Sequence, residues 1–228
     1  DVAKDFYEIT KDSKKRAKIK QEILDLHPPK EDYFNKVLIM EVMSPKNKIF
    51  EGLTVEKAAG KAKKDVFEFL FDLLIEEEAA ISAIYFTMSE ENLKRFLTRK
   101  YIFVASDSGC RATTGPLAKG KPHPRIFGTF PRVIKKYVKE EKVLDLATAI
   151  YKMTYQPAKR FKIKNRGKIA KGYFADLVIF DLDKISDKSD FLDPFHYSTG
   201  IDRVWVNGTL AVEKGKVTGK RGGKILKK

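Results

Sequence analysis

The chain has 228 residues, 43% of them hydrophobic, enough to bury the core of one large domain or one and a half. It holds no run of about 18 consecutive apolar residues, which excludes a membrane-crossing helix. Its single cysteine, Cys110, excludes an internal disulfide and favours a reducing, cytoplasmic setting.

In chain order, Asp1 stands where a methionine would and no signal-peptide core follows it, so the start reads as a cut or processed end. Ser13 to Leu26 alternates Lys and Arg with Ala17, Ile19, Ile23, Leu24 and Leu26, the pattern of a short amphipathic helix, and His27-Pro28-Pro29 ends it. Val37 to Met40 is a short apolar run and reads as a buried strand. Thr54 can cap a helix carrying Val55, Ala58 and Ala59, and Asp65 a second one running from Val66 to Ile75. The second is apolar nearly all round, which predicts deep packing against a sheet. Ile81 to Phe86 (strand), Ser89 to Leu97 (helix, Ser89 as cap) and Tyr101 to Ala105 (strand) follow in immediate succession, predicting a βαβ unit and a parallel sheet. Two helices come next, at Pro131 to Glu140 and Leu144 to Met153.

From Lys164 the texture turns to short strands: Ala175 to Phe180, Arg203 to Val206 and Thr209 to Glu213. Asn207-Gly208 between two alternating runs predicts a hairpin, because both residues tolerate positive φ. A domain boundary is expected near residue 163.

The formal charge of +15 calls first for a nucleic-acid reading. One basic cluster includes Lys11, Lys14, Lys15, Arg16, Lys18 and Lys20; another is the acid-free tail from Lys214 to Lys228. Neither interleaves aromatic residues for base stacking, and no zinc-finger or RNA-recognition motif occurs. Both are read as solvated surface, of a kind that also suits a heat-adapted source.

Two places could carry chemistry, and a third run is specific but structural. Val104 to Gly109 sets Asp107 among serines at the end of a predicted strand, where a carboxylate can bind a metal or act as general base, or simply cap the turn. The long segment from Arg111 to Arg132 holds His123 and Arg125, each beside a stiffening proline. Arg125 can clamp a substrate carboxylate in a bidentate fork or pair with an acid of its own chain; His123 can do chemistry or merely hold the loop. The run from Gly167 to Asp181 is a glycine turn leading into a buried strand, with Asp176 and Asp181 as structural groups.

That last run resembles the strand that follows the barrel in the metal-dependent amidohydrolase superfamily, where a hairpin like Val204-Trp205-Val206-Asn207-Gly208 comes after it. Ala83 to Glu90, Ser106-Asp107, His123-Pro124-Arg125, Gly128-Thr129-Phe130-Pro131-Arg132, Lys152-Met153-Thr154 and Pro157-Ala158 are similar to the N-acyl-D-amino-acid deacylases (D-aminoacylases), from about residue 30 onward. The resemblance implies an α/β fold: the C-terminal portion of a distorted (β/α)8 barrel over residues 1–163 and strands of a small β-sandwich over 164–228. It implies a zinc centre and hydrolysis of the amide of an N-acyl-D-amino acid. Asp107 is then the metal-contacting proton-transfer group, Arg125 holds the substrate carboxylate, and His123 is a further substrate-binding candidate.

Two departures stand out. Ser108 follows the aspartate where the family has glycine, with an insertion containing Cys110, which reads as a loop thiol. The family's His-x-His pair and zinc-binding cysteine are absent, leaving only His27, His123 and His196, so this chain alone is expected to hold zinc poorly and to need an N-terminal barrel half. A non-catalytic half of a split amidohydrolase and a hydantoinase- or dihydroorotase-like cyclic amidase are the competing readings.

Overall fold

The computed structural model describes residues 8, 10–28 and 31–226; Asp1, Pro29 and the end of the basic tail lie outside them. The chain divides into two compact units, residues 1–88 with 118–123 and 191–193, and residues 89–117 with 124–190 and 194–228.

In the first unit, Asp12 caps α1 (Ser13–Leu26) by accepting from the Lys14 and Lys15 amides. Arg16 ties the helix down through ion pairs to Glu68 at 2.7 Å and Asp72 at 3.4 Å. Strand β1 (Val37–Glu41) leads to α2 (Val55–Ala62) and α3 (Val66–Glu76). Thr54 and Asp65 cap these two helices as their side chains predict. Ile39, Val42, Phe50, Val55, Phe69 and Leu73 close one core around β1, which is why α3 is apolar over so much of its surface. Strand β2 (Ser82–Tyr85) pairs with β1 in antiparallel register, Leu38 opposite Ile84 and Ile39 opposite Ala83.

This pairing corrects the expectation of a parallel sheet. The partner of β2 is β1, earlier in the chain, and Tyr101–Ala105 forms no strand. That segment is extended, but among the described residues its backbone bond to another element runs from the Val104 amide to the Lys152 carbonyl at 3.1 Å. A strand needs a ladder beside it, and an apolar run alone does not supply one.

In the second unit, α4 (Glu90–Leu97) starts under the Ser89 cap. The expected helix at Pro131 begins earlier, as α5 (Arg125–Arg132), and continues in wider, π-type turns over Val133–Glu140. Then come α6 (Leu146–Met153) and α7 (Tyr155–Arg160). Leu97, Val133, Tyr137, Leu144 and Ala149 form the core of these helices.

The remaining strands make one antiparallel four-stranded sheet in sequence order: β3 (Leu177–Phe180), β4 (Ile201–Val206), β5 (Thr209–Glu213) and β6 (Lys216–Val217). Asn207 (φ 50°) and Gly208 (φ 78°) both sit in the left-handed region, as a two-residue hairpin turn matching strand twist requires. Lys214 and Gly215 repeat the device between β5 and β6. The Gly167–Asp181 run has a structural role as read. Arg166 donates to both Asp176 and Asn207, the Asp176 carboxylate accepts the Asn207 amide at 2.8 Å, and Asn207 donates to the Gly222 carbonyl at 2.6 Å.

Candidate active site

Asp107 lies in the second unit, seven residues beyond Lys100 on the connection from α4 toward α5. The segment leading to it is held from behind by α6. Lys152 is buried and donates through Nζ to the Arg99 carbonyl at 2.5 Å and the Ile102 carbonyl at 2.7 Å. The Lys152 carbonyl accepts the Val104 amide. Burial pushes the Lys152 ammonium below its ordinary value, and the two carbonyls are what make its charge tolerable there. Past Val104 the backbone carries no ladder, Ser108 donates to Ser106 at 3.1 Å, and Asp107 adopts φ 48°, a left-handed conformation that aspartate tolerates better than most residues.

Arg125 is the first residue of α5, so the loop that the sequence predicts up to Arg132 ends at Pro124, the residue preceding the helix. Proline suits a helix start, where its missing N–H is no loss. Helix α5 is fixed at three points. A Cβ on Gly128 would lie 2.9 Å from the Asp187 Cβ, so only glycine allows this approach. Arg132 pairs with Asp187 at 2.9 Å, and Ser198 Oγ donates to the Phe127 carbonyl at 2.9 Å. The Phe127 ring meets Tyr197 edge-on at 5.7 Å.

The structure brings two of the three sequence candidates together: Arg125 Nη2 lies 2.9 Å from Asp107 Oδ2. The pair is open to solvent, with the Asp107 side chain 85% exposed and that of Arg125 44% exposed. Both alternatives weighed for Arg125 therefore meet in one place, since the acid it pairs with is the candidate base. His123 belongs to the first unit, its ring edge-on to Phe191 at 5.0 Å. The loop before it is pinned to β1, with the Lys121 amide donating to the Met40 carbonyl at 2.6 Å and Gly120 (φ 65°) too close to Glu41 for a Cβ.

A single carboxylate beside a guanidinium can exchange protons and bind an anion; it does not make a metal site. Among the described residues no three His, Cys, Asp or Glu side chains stand together. His27 stacks on Tyr33 at 3.9 Å, His123 meets Phe191, and Cys110 is an exposed thiol. The donors present therefore do not fit a zinc centre. Lys152 is the positioning residue that sequence reading missed. Its signal was the spacing Ala149, Lys152, Met153, which sets a lysine on the buried side of a helix.

Residues 115–212 match the model of the Amidohydrolase family. A D-aminoacylase of Alcaligenes xylosoxydans xylosoxydans is 36% identical over 167 residues, 73% of this chain and 31% of that protein. Over about three quarters of its length this chain is similar to the D-aminoacylases. Among solved structures, a D-aminoacylase mutant in complex with copper chloride superposes with a TM-score of 0.70 at 32% identity, over 84% of this chain and 38% of that one. An N-acyl-D-glutamate deacylase of Bordetella bronchiseptica, complexed with zinc and a phosphonate mimic of the tetrahedral intermediate, gives 0.67 at 30% identity, over 82% and 36%. The chain spans about a third of the length of each of these relatives. The family match covers α5 through β5, the stretch that holds Arg125 and the helix anchors described above.

Proposed function

We propose that this chain supplies the proton-transfer and carboxylate-binding part of a deacylase that hydrolyses the amide bond of N-acyl-D-amino acids. The observation that carries the reading is the ion pair of Asp107 and Arg125, an acid and a guanidinium exposed together on the second unit. The Asp107 carboxylate takes a proton from the attacking water as its oxygen bonds to the acyl carbon. It returns that proton to the nitrogen as the C–N bond breaks, releasing a carboxylate and a free D-amino acid. Arg125 presents a planar fork of donors to the amino-acid carboxylate, which orients the amide toward Asp107. A substrate carboxylate competes with Asp107 for that fork, so binding the substrate frees the base.

Residues 1–163 belong to a (β/α)8 barrel completed by an N-terminal half, and 164–228 to a β-sandwich, in a cytoplasmic enzyme. Zinc in the complete enzyme is supported by the zinc and copper complexes of the related structures, with Asp107 as its one contact from this chain and the remaining ligands supplied by the N-terminal half. The test is to combine the chain with the N-terminal barrel half of a D-aminoacylase and assay N-acetyl-D-amino acids, their L-enantiomers and a hydantoin. Release of the D-amino acid alone is expected. A stable complex that leaves the D-substrate intact makes the chain a structural half, and one that opens the hydantoin makes it a cyclic amidase.

A further inference from the structure

The second unit contains a cleft separate from Asp107 and Arg125. No acid occurs between Asp145 and Asp176, although that stretch carries Lys159, Lys162, Lys164, Arg166 and Lys168. The fold gathers these cations. Helix α7 ends with its closing carbonyls already bonded: Pro157 to the Phe161 amide at 2.9 Å, Ala158 to Ile163 at 2.8 Å and Lys159 to Lys162 at 3.2 Å. The lysines are therefore not needed to satisfy the helix end. Lys162 (φ 57°) and Asn165 (φ 55°) turn the chain back on itself. Gly167 pins the return, since a Cβ there would stand 2.8 Å from the Tyr155 Cα and 2.9 Å from the Ala158 Cβ.

The result is a cavity of about 350 Å³ lined by Tyr155, Lys159, Lys162, Lys164, Arg166 and Tyr173 among others. Arg166 is neutralised by Asp176. No carboxylate lies within ion-pair distance of Lys159, Lys162 or Lys164 among the described residues. In the first unit a cavity of about 390 Å³ also carries Arg16 and Lys20, but Glu68, Asp72 and Asp65 pair with them. One cleft has its charge answered and the other does not.

We infer that the cleft beside α7 binds a small, multiply charged phosphate compound of the polyphosphate type. Its volume lies in the range of small-molecule sites. Several lysines lining one cleft without counter-charge favour a ligand with more than one negative charge, and lysine serves phosphate as a point charge. The Lys168 ammonium, 5.1 Å over the Tyr155 ring and 5.0 Å over the Tyr173 ring, adds a further cation beside the cleft. This inference does not depend on the deacylase reading.

Calorimetric titration of the 228-residue chain with sodium tripolyphosphate at fixed ionic strength tests it. The same titration is run on the Lys159→Gln/Lys164→Gln variant and on Lys14→Gln/Lys15→Gln, a control of equal charge, with circular dichroism confirming the fold of each. One saturable site is expected, its Kd raised about tenfold or more in the first variant and less than about twofold in the control. Equal weakening in both variants, or no saturable binding, overturns the site. A uridine oligonucleotide that binds more tightly than tripolyphosphate through the same lysines overturns the ligand class.

Discussion

Replacing Asp107 with Asn separates chemistry from folding. The ion pair it breaks joins side chains that are 85% and 44% exposed, and pairs of that kind contribute about 0.2–1 kcal/mol. Asparagine also accepts the φ of 48° that the backbone takes here, so no strain is added. For a chain of this size about 1 kcal/mol corresponds to about 2–4 °C, so the melting temperature should fall by no more than about 4 °C. Activity should behave differently. A general base contributes about 10²–10⁴-fold, or about 3–5 kcal/mol of barrier, and Asn cannot accept the proton. Thermal unfolding of the chain by circular dichroism gives the first quantity. D-amino-acid release by the assembled deacylase gives the second. The reasoning fails if Asp107→Asn keeps more than about a tenth of the activity, or if the variant unfolds so much earlier that lost structure accounts for the loss.

Arg125→Lys keeps the charge but loses the bidentate fork, so KM for the D-substrate should rise about tenfold with kcat changed less; steady-state kinetics would show the reverse if Arg125 acted on the reacting bond. The purified chain should retain no stoichiometric zinc after dialysis, because one exposed carboxylate is a poor ligand set; metal analysis finding tightly held zinc would contradict this. Glu77 is buried and accepts from the Met43 amide at 2.6 Å, the Ser44 amide at 2.9 Å, the Ser44 hydroxyl and Asn47 Nδ2 at 2.7 Å. Burial pushes its carboxyl up, but these donors outweigh burial and hold it below the ordinary glutamate value. Its stabilisation is therefore present above the unfolded pKa and lost as pH falls through the lower folded one. Glu77→Gln should cost about 1–3 kcal/mol near neutral pH and flatten the acid limb of stability against pH; an unchanged acid limb in urea titrations would refute it.

Local signals in the sequence translated well because they are settled by a few neighbouring atoms. Thr54, Asp65 and Ser89 each accept an amide of the helix they precede, as their hydroxyl or carboxylate chemistry requires. Asn207-Gly208 makes its turn for the same local reason. Strand direction was not legible, because alternation and apolarity carry no information about which run lies alongside. Strand β2 is paired with a segment far back in the chain, while Tyr101–Ala105, close by in sequence, has no ladder. Lys214-Gly215 escaped notice since lysine seldom occupies a left-handed position, although the glycine beside it and the two-residue spacing fit the same turn as Asn207-Gly208. The acid-free run after Asp145 was legible as charge. Only the fold shows that Lys159, Lys162 and Lys164 line one cleft while Arg16 and Lys20 on α1 are answered by acids.

The motif from His123 to Arg132 makes physical sense once its residues are divided by what they touch. Gly128 and Arg132 both meet Asp187, one by permitting backbone approach and the other by charge, and the Phe127 carbonyl is held by Ser198. None of these reaches Asp107; together they fix α5 so that Arg125, at its first turn, projects from a rigid element. Lys152 does the corresponding work on the other side, holding the carbonyls of Arg99 and Ile102 and so the approach to Asp107. A guanidinium on a loose loop would lose side-chain and backbone entropy each time it bound a carboxylate. On an anchored helix end most of that cost is met in folding. That is why buried groups such as Gly128 and Lys152, which contact no substrate in this reading, belong to the same site as the two exposed charges they position.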